Sequence, residues 1–102
     1  MGKNRYAAKS DSNQKEIVAA LRSIPGVTVT TGMDDILVGR NGRTYWFEIK
    51  DPINVSQVTG EIWPSKLKKS QVKLRETWTG QYDIVHSLEQ ILLIIGVTNE
   101  VT

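Results

Sequence analysis

Two strand-like runs, Asp35 to Gly39 and Thr44 to Lys50, stand on either side of Arg40-Asn41-Gly42-Arg43. Asn-Gly is the favoured pair for a two-residue hairpin turn, since both positions take a positive φ that Asn tolerates and Gly adopts freely. Such a turn fixes the register of everything that leads away from it. Arg40 pairs with Arg43, and counting outward along both strands sets Asp35 opposite Glu48. Alternation then puts Ile36, Val38, Tyr45, Phe47 and Ile49 on one face, the core side, and Asp35, Glu48 and Lys50 together on the other. Opposed residues in an antiparallel ladder have Cβ atoms roughly 4.5–5.5 Å apart. At an effective dielectric near 20, two carboxylates at about 5 Å repel by on the order of 3 kcal/mol. Something must offset that cost.

The remaining segments supply a covering for such a hairpin. From Asp11 onward Ile17, Val18, Ala20, Leu21 and Ile24 form an apolar face at helical spacing, with Asn13 and Glu16 at capping-box spacing and Pro25-Gly26 as the stop. Val27 to Thr31 alternates like a strand. Residues 51–65, with Pro52, Gly60 and Pro64, show no period and read as a long mobile loop. A helix is predicted from Ser70 to Trp78, a short strand from Tyr82 to His86, and a last helix capped by Ser87 with Gln90 and closed by Gly96. The order α-β-β-β-α-β-α indicates a single small α/β domain with a mixed central sheet flanked by helices. Residues 1–10 read as a flexible basic arm and 97–102 as a tail.

Composition narrows the chemistry. A chain of 102 residues has room for one modest core. With no cysteine and a single histidine, disulfide frameworks, thiolate zinc sites and a cysteine nucleophile are excluded, so any metal must accept oxygen ligands. No apolar run approaches the ~20 residues that span a bilayer, and MGKNRYAAKS lacks the apolar stretch of a secretion signal; the expectation is a soluble, cytoplasmic protein with no membrane partner. The formal net charge is only +2, but Lys3, Arg5 and Lys9 open the chain, and Lys66, Lys68, Lys69, Lys73 and Arg75 crowd ten positions without an acid. This is either ordinary solvated surface or a phosphate-binding surface, for which Lys3, Arg5, Lys66, Lys68, Lys69 and Lys73 are the candidates.

Two readings of the acidic pair stay open at this level. Asp35 and Glu48 can lie on a solvated face with Lys50 neutralising one of them. Alternatively they form an oxygen-ligand site for Mg²⁺, which takes one or two protein carboxylates beside retained water and substrate phosphate. In the second reading Lys50 is placed to orient or deprotonate a water or to stabilise charge at phosphorus. Leu67, Gln71, Leu74 and Trp78 share a helical stripe, so an amide interrupts an apolar row; it is either satisfied by backbone near the helix start or used at the site. His86 reads as structural, Trp46 as a packing residue under the first helix or a base-stacking one, and Trp63 as a loop aromatic beside the basic stretch.

Gly32-Met33-Asp34-Asp35-Ile36-Leu37-Val38, followed thirteen residues after Asp35 by Glu48-Ile49-Lys50, resembles the PD-(D/E)xK nuclease superfamily. The Asp11-Ser-Asn-Gln-Lys-Glu16 helix start and the later Leu67-Lys-Lys-Ser-Gln71 are similar to its stand-alone, virus-type VRR-NUC domains, over about residues 11–96. The resemblance implies a restriction-endonuclease-like core in which Asp35, Glu48 and the backbone carbonyl of Ile49 hold Mg²⁺ or Mn²⁺. Lys50 is then the catalytic lysine, Gln71 the helix glutamine that orients Lys50 or the attacking water, and Glu16 an acid that approaches the metal. Equally, Glu16 is placed to close a capping box with Asn13. Two positions depart from the pattern: Asp34 stands where a Pro usually precedes the motif aspartate, and Lys68-Lys69 where Thr-Pro often opens the later helix. Asp34 points away from the site unless a bulge exchanges it with Asp35.

The function expected on these grounds is a metal-dependent DNA endonuclease. The resemblance implies a homodimer acting on branched DNA such as Holliday junctions, and symmetric incision of two strands does need two sites related by a twofold axis. A lysine-dominated surface positions backbone rather than reading bases. The competing readings are a non-catalytic nucleic-acid-binding or assembly module that keeps the fold, and a sequence-specific restriction-type enzyme, for which 102 residues leave no recognition subdomain.

Overall fold

The structure is a computed structural model that describes residues 13–32 and 35–97. Lys3, Arg5, most of the expected basic arm and tail, and Asp34 with its possible bulge lie outside the described residues. The element order is α1 (Gln14–Arg22), β1 (Val27–Thr31), β2 (Asp35–Arg40), β3 (Arg43–Ile49), α2 (Lys69–Thr77), β4 (Asp83–Val85) and α3 (Leu88–Ile95). Among the described residues this is a small α/β domain with a four-stranded mixed sheet, ordered β1-β2-β3-β4, and three α-helices. The first two pairings are antiparallel and the last is parallel, which requires the long crossover from Lys50 to Tyr82.

The hairpin forms as its turn dictates. Asn41 and Gly42 both take positive φ, 52° and 77°, and the register runs Arg40↔Arg43, Val38↔Tyr45, Ile36↔Phe47, Asp35↔Glu48. Ile36, Val38, Phe47 and Ile49 are buried on one face, under Ile17, Val18 and Leu21 of α1 and Ile91 and Ile95 of α3. Burying such side chains contributes roughly 1.5–3 kcal/mol each, and it is this face that fixes the register against slippage. α3 begins with the expected reciprocal cap between Ser87 and Gln90 and ends on Gly96, and Arg40 places a guanidinium 2.9 Å from the Ile95 carbonyl, where a cation favours the helix C-terminus.

Three expectations need correction. The capping box between Asn13 and Glu16 does not form: Asn13 has helical φ and ψ (−85°, −9°), and no side-chain cap bond is made. Its Nδ2 donates instead to the carbonyls of Lys50 and His86, both at 3.2 Å, tying the start of α1 to the ends of β3 and β4. The first helix also stops at Arg22 rather than Ile24, because the N–H and the hydroxyl of Ser23 both turn back to the Ala20 carbonyl. Residues 51–65 are not structureless. Asp51 accepts from Ile53 N at the head of a 3-10 turn (Pro52–Asn54), Val55 bridges Ile62, and the buried Ser56 hydroxyl accepts from Val58 and Thr59. Local polar bonds of this kind leave no hydrophobic period in the sequence. Element boundaries shift by one residue for α2 and for β4, set against 70–78 and 82–86.

Candidate active site

Asp35 opens β2 and Glu48 sits near the end of β3, so the pair shares the sheet face opposite α1 and α3. β3 becomes more buried along its length, and Glu48 is only 4% exposed. A cleft of about 230 Å³ lies over the pair, walled by Asp35, Glu48 and Tyr82 on one side and by Lys68, Ser70, Gln71 and Leu74 of the α2 start on the other. The positive end of the α2 dipole therefore contributes a wall. A second cavity of about 350 Å³, lined by Thr30, Leu37 and Trp46 among others, opens on the other side of Asp35.

Three features offset the repulsion between the carboxylates. The Lys50 ammonium lies 4.0 Å from Glu48 Oε2, the Trp46 indole N–H donates to Asp35 Oδ2 at 2.9 Å, and the cleft admits water or a counter-ion. Lys50 itself is buried, 9% exposed, and reaches the cleft only through Glu48. The charges of the pair are felt across the cleft. Tyr82, which lines it, has its phenol pushed up to about 12, first by burial and then by the charges of Glu48 and Asp35, with Arg75 opposing.

Gln71 is buried, as the stripe predicts, and its Oε1 accepts from Lys68 N at 2.9 Å. Its carbonyl thus serves the helix start, and what it can offer the cleft is the donor NH₂. Ile49 turns its side chain into the core and leaves only its backbone for ligation. Glu16 is exposed on α1 and is not among the residues lining the cleft. Lys66 closes a 3-10 turn (Pro64–Lys66), Lys68 precedes α2 and Lys69 and Lys73 lie in it; all four are exposed, and Lys68 alone reaches the cleft wall.

The backbone of His86 joins β4 to both outer helices: its N–H donates to Gln90 Oε1 at 2.6 Å and its carbonyl accepts from Asn13, and His86 is not among the residues lining the cleft. Trp46 packs, but not beneath the first helix. Its ring meets Trp78 at 5.5 Å and Tyr82 at 4.9 Å, both edge-on, on the cleft side of the sheet. Its backbone is gripped by Gln81, whose Oε1 accepts from Trp46 N at 2.6 Å while Nε2 donates to Trp46 O at 2.9 Å, so one side chain continues the ladder where β4 has not begun. In the sequence Trp78 marks only the end of a predicted helix and its apolar stripe, and Tyr82 only the start of a predicted strand; Gln81 lies between them with no periodic signal, and nothing in the sequence points these three toward the cleft.

The donor set is wholly oxygen: two carboxylates in the wall of one cleft. That suits a hard ion with retained waters. Among the described residues no group of three or more His, Asp or Glu converges, so an ion here would depend on water, backbone and substrate for its remaining ligands. No helix among the described residues is long and apolar enough to cross a membrane. No family model, curated protein or solved structure matches the chain.

Proposed function

We propose that the chain is a Mg²⁺- or Mn²⁺-dependent endonuclease with a restriction-endonuclease-like core, hydrolysing DNA phosphodiesters as a homodimer on branched substrates such as Holliday junctions. The observation that carries the reading is the side-by-side pair Asp35 and Glu48 at an open cleft, with a buried ammonium 4.0 Å from Glu48. The resemblance of Asp35 and Glu48-Ile49-Lys50 to the PD-(D/E)xK pattern rests on the same residues and agrees with it.

Asp35, Glu48 and the Ile49 carbonyl would hold the ion, which when bound polarises the phosphate and lowers the pKa of a ligated water. Lys50, buried 4.0 Å behind Glu48 Oε2, would act on the attacking water through that carboxylate, holding it charged and in place. Gln71 donates its NH₂ toward the same water, while Lys68 at the cleft wall and Lys66, Lys69 and Lys73 behind it hold flanking phosphates. Glu16 stands outside this set.

The test incubates the protein with a four-way junction, a flap and a blunt duplex in Mg²⁺, Mn²⁺ or chelator. The reading predicts divalent-dependent incision, strongest on the junction, that falls by about 10²–10⁴ in Lys50→Ala and is lost in Asp35→Ala. Incision untouched by either substitution contradicts it, and DNA binding without any incision favours the non-catalytic binding module.

A further inference from the structure

We propose that Trp78, braced by Trp46 and Gly80, is a stacking platform for an unpaired nucleobase beside the carboxylate cleft; the inference rests on the nuclease reading and names the feature of DNA that the site selects. Trp78 follows the last residue of α2 and remains 49% exposed, yet it is held by two neighbours. Trp46 meets it edge-to-face, with ring centroids 5.5 Å apart and planes at 83°. The indole Nε1 and Cε2 also lie 2.8 and 3.2 Å from where a Cβ on residue 80 would stand, so only glycine lets the ring rest there. An indole packed on Trp46 and against Gly80 yet half exposed offers its open ring surface at little entropic cost on binding.

Its position relates it to the proposed chemistry. Trp46, which braces it, donates to Asp35 Oδ2, and Tyr82, which packs on Trp46 at 4.9 Å, lines the cleft itself. Carboxylate, Trp46 and Trp78 are consecutive contacts, so a phosphate held at Asp35 brings an adjoining nucleotide to Trp78. Lys69 and Lys73 on the same helix supply cations for the neighbouring phosphates. A base inside a duplex is already stacked on both faces, whereas one freed at a branch or flap has a face to give. The platform therefore favours DNA with an unstacked base and supplies a physical cause for branch preference without base reading.

The test measures binding in chelator, so that cutting plays no part, by anisotropy of a labelled blunt duplex, the same duplex with a short single-stranded flap, and that flap made abasic. The wild-type chain is expected to bind the flap best. Trp78→Ala is expected to weaken flap binding by between about 5- and 100-fold while leaving the blunt duplex unchanged, and Trp78→Phe to keep most of the preference. The abasic flap should bring the wild-type chain to the Trp78→Ala level without any change in the protein, which guards against a folding defect. Equal affinity for normal and abasic flaps, or equal losses on flap and duplex in Trp78→Phe, overturns the platform while leaving divalent-dependent incision standing. Conversely, a chain that never incises DNA but shows the flap and abasic pattern retains the platform and loses the nuclease.

Discussion

Asp35 and Glu48 are like charges set directly opposite one another in the sheet, and their repulsion is measurable. Asp35→Asn removes one charge while keeping an oxygen for the Trp46 indole. It is expected to raise stability in chelator by about 1 kcal/mol, a Tm increase of about 4–8 °C for a domain of this size, and to abolish any further rise on adding Mn²⁺. Thermal unfolding with and without the ion reads both. Tyr82 reports the same field. Its phenol ionises near 12 in the folded chain and near 10 when unfolded, so the stability it contributes is complete below pH 10 and is lost as pH rises from 10 toward 12. Tyrosinate absorbance should show one tyrosine titrating late, and Glu48→Gln should bring it down; an unchanged curve would remove the carboxylate charge as a cause. The opposition of Asp35 and Glu48 is legible in the sequence because four residues, Arg40 to Arg43, determine it. The inward direction of Gln71 is legible from its stripe, but its bond to Lys68 N is not, since period marks a face and not a partner.

At the level of elements, the crossover between β3 and β4 carries what sequence reasoning missed. Gln81 completes the ladder at Trp46 with its side chain alone. Gln81→Ala leaves the Trp46 N–H and carbonyl without those partners and is expected to cost about 1–3 kcal/mol, read as a lower urea midpoint with an unchanged slope. It should also loosen the Trp46 indole from Asp35, seen as a red shift in tryptophan emission. Helices and strands with an apolar face were readable because burial imposes a period on them. Neither the small bridged turn around Ser56 nor the pairing of Gln81 has one; both are held by pairs of polar bonds, across short separations at Ser56 and a long one at Gln81. Asn13 shows the opposite error. Its type and place before a helix suit a cap, but its amide is drawn to two strand-end carbonyls that only the assembled sheet presents.

Over the whole molecule, the layers separate two tasks. α1 and α3 bury the core face, while the other face keeps Asp35, Glu48 and the Trp46 group beside α2 and its lysines. If that side holds DNA, affinity should fall steeply with salt, and Lys69→Ala combined with Lys73→Ala should lower the log–log slope by about 1.8 in a salt titration of duplex binding. A slope that does not move would assign those lysines to plain surface. The central claim is that the Asn41-Gly42 turn brings two carboxylates together to hold a divalent ion. Crystals grown with Mn²⁺ test it most directly: the claim predicts an anomalous peak within about 2.0–2.6 Å of oxygens from both Asp35 and Glu48, absent in Asp35→Asn. A peak that contacts neither side chain, or one that persists unchanged in the variant, would contradict it.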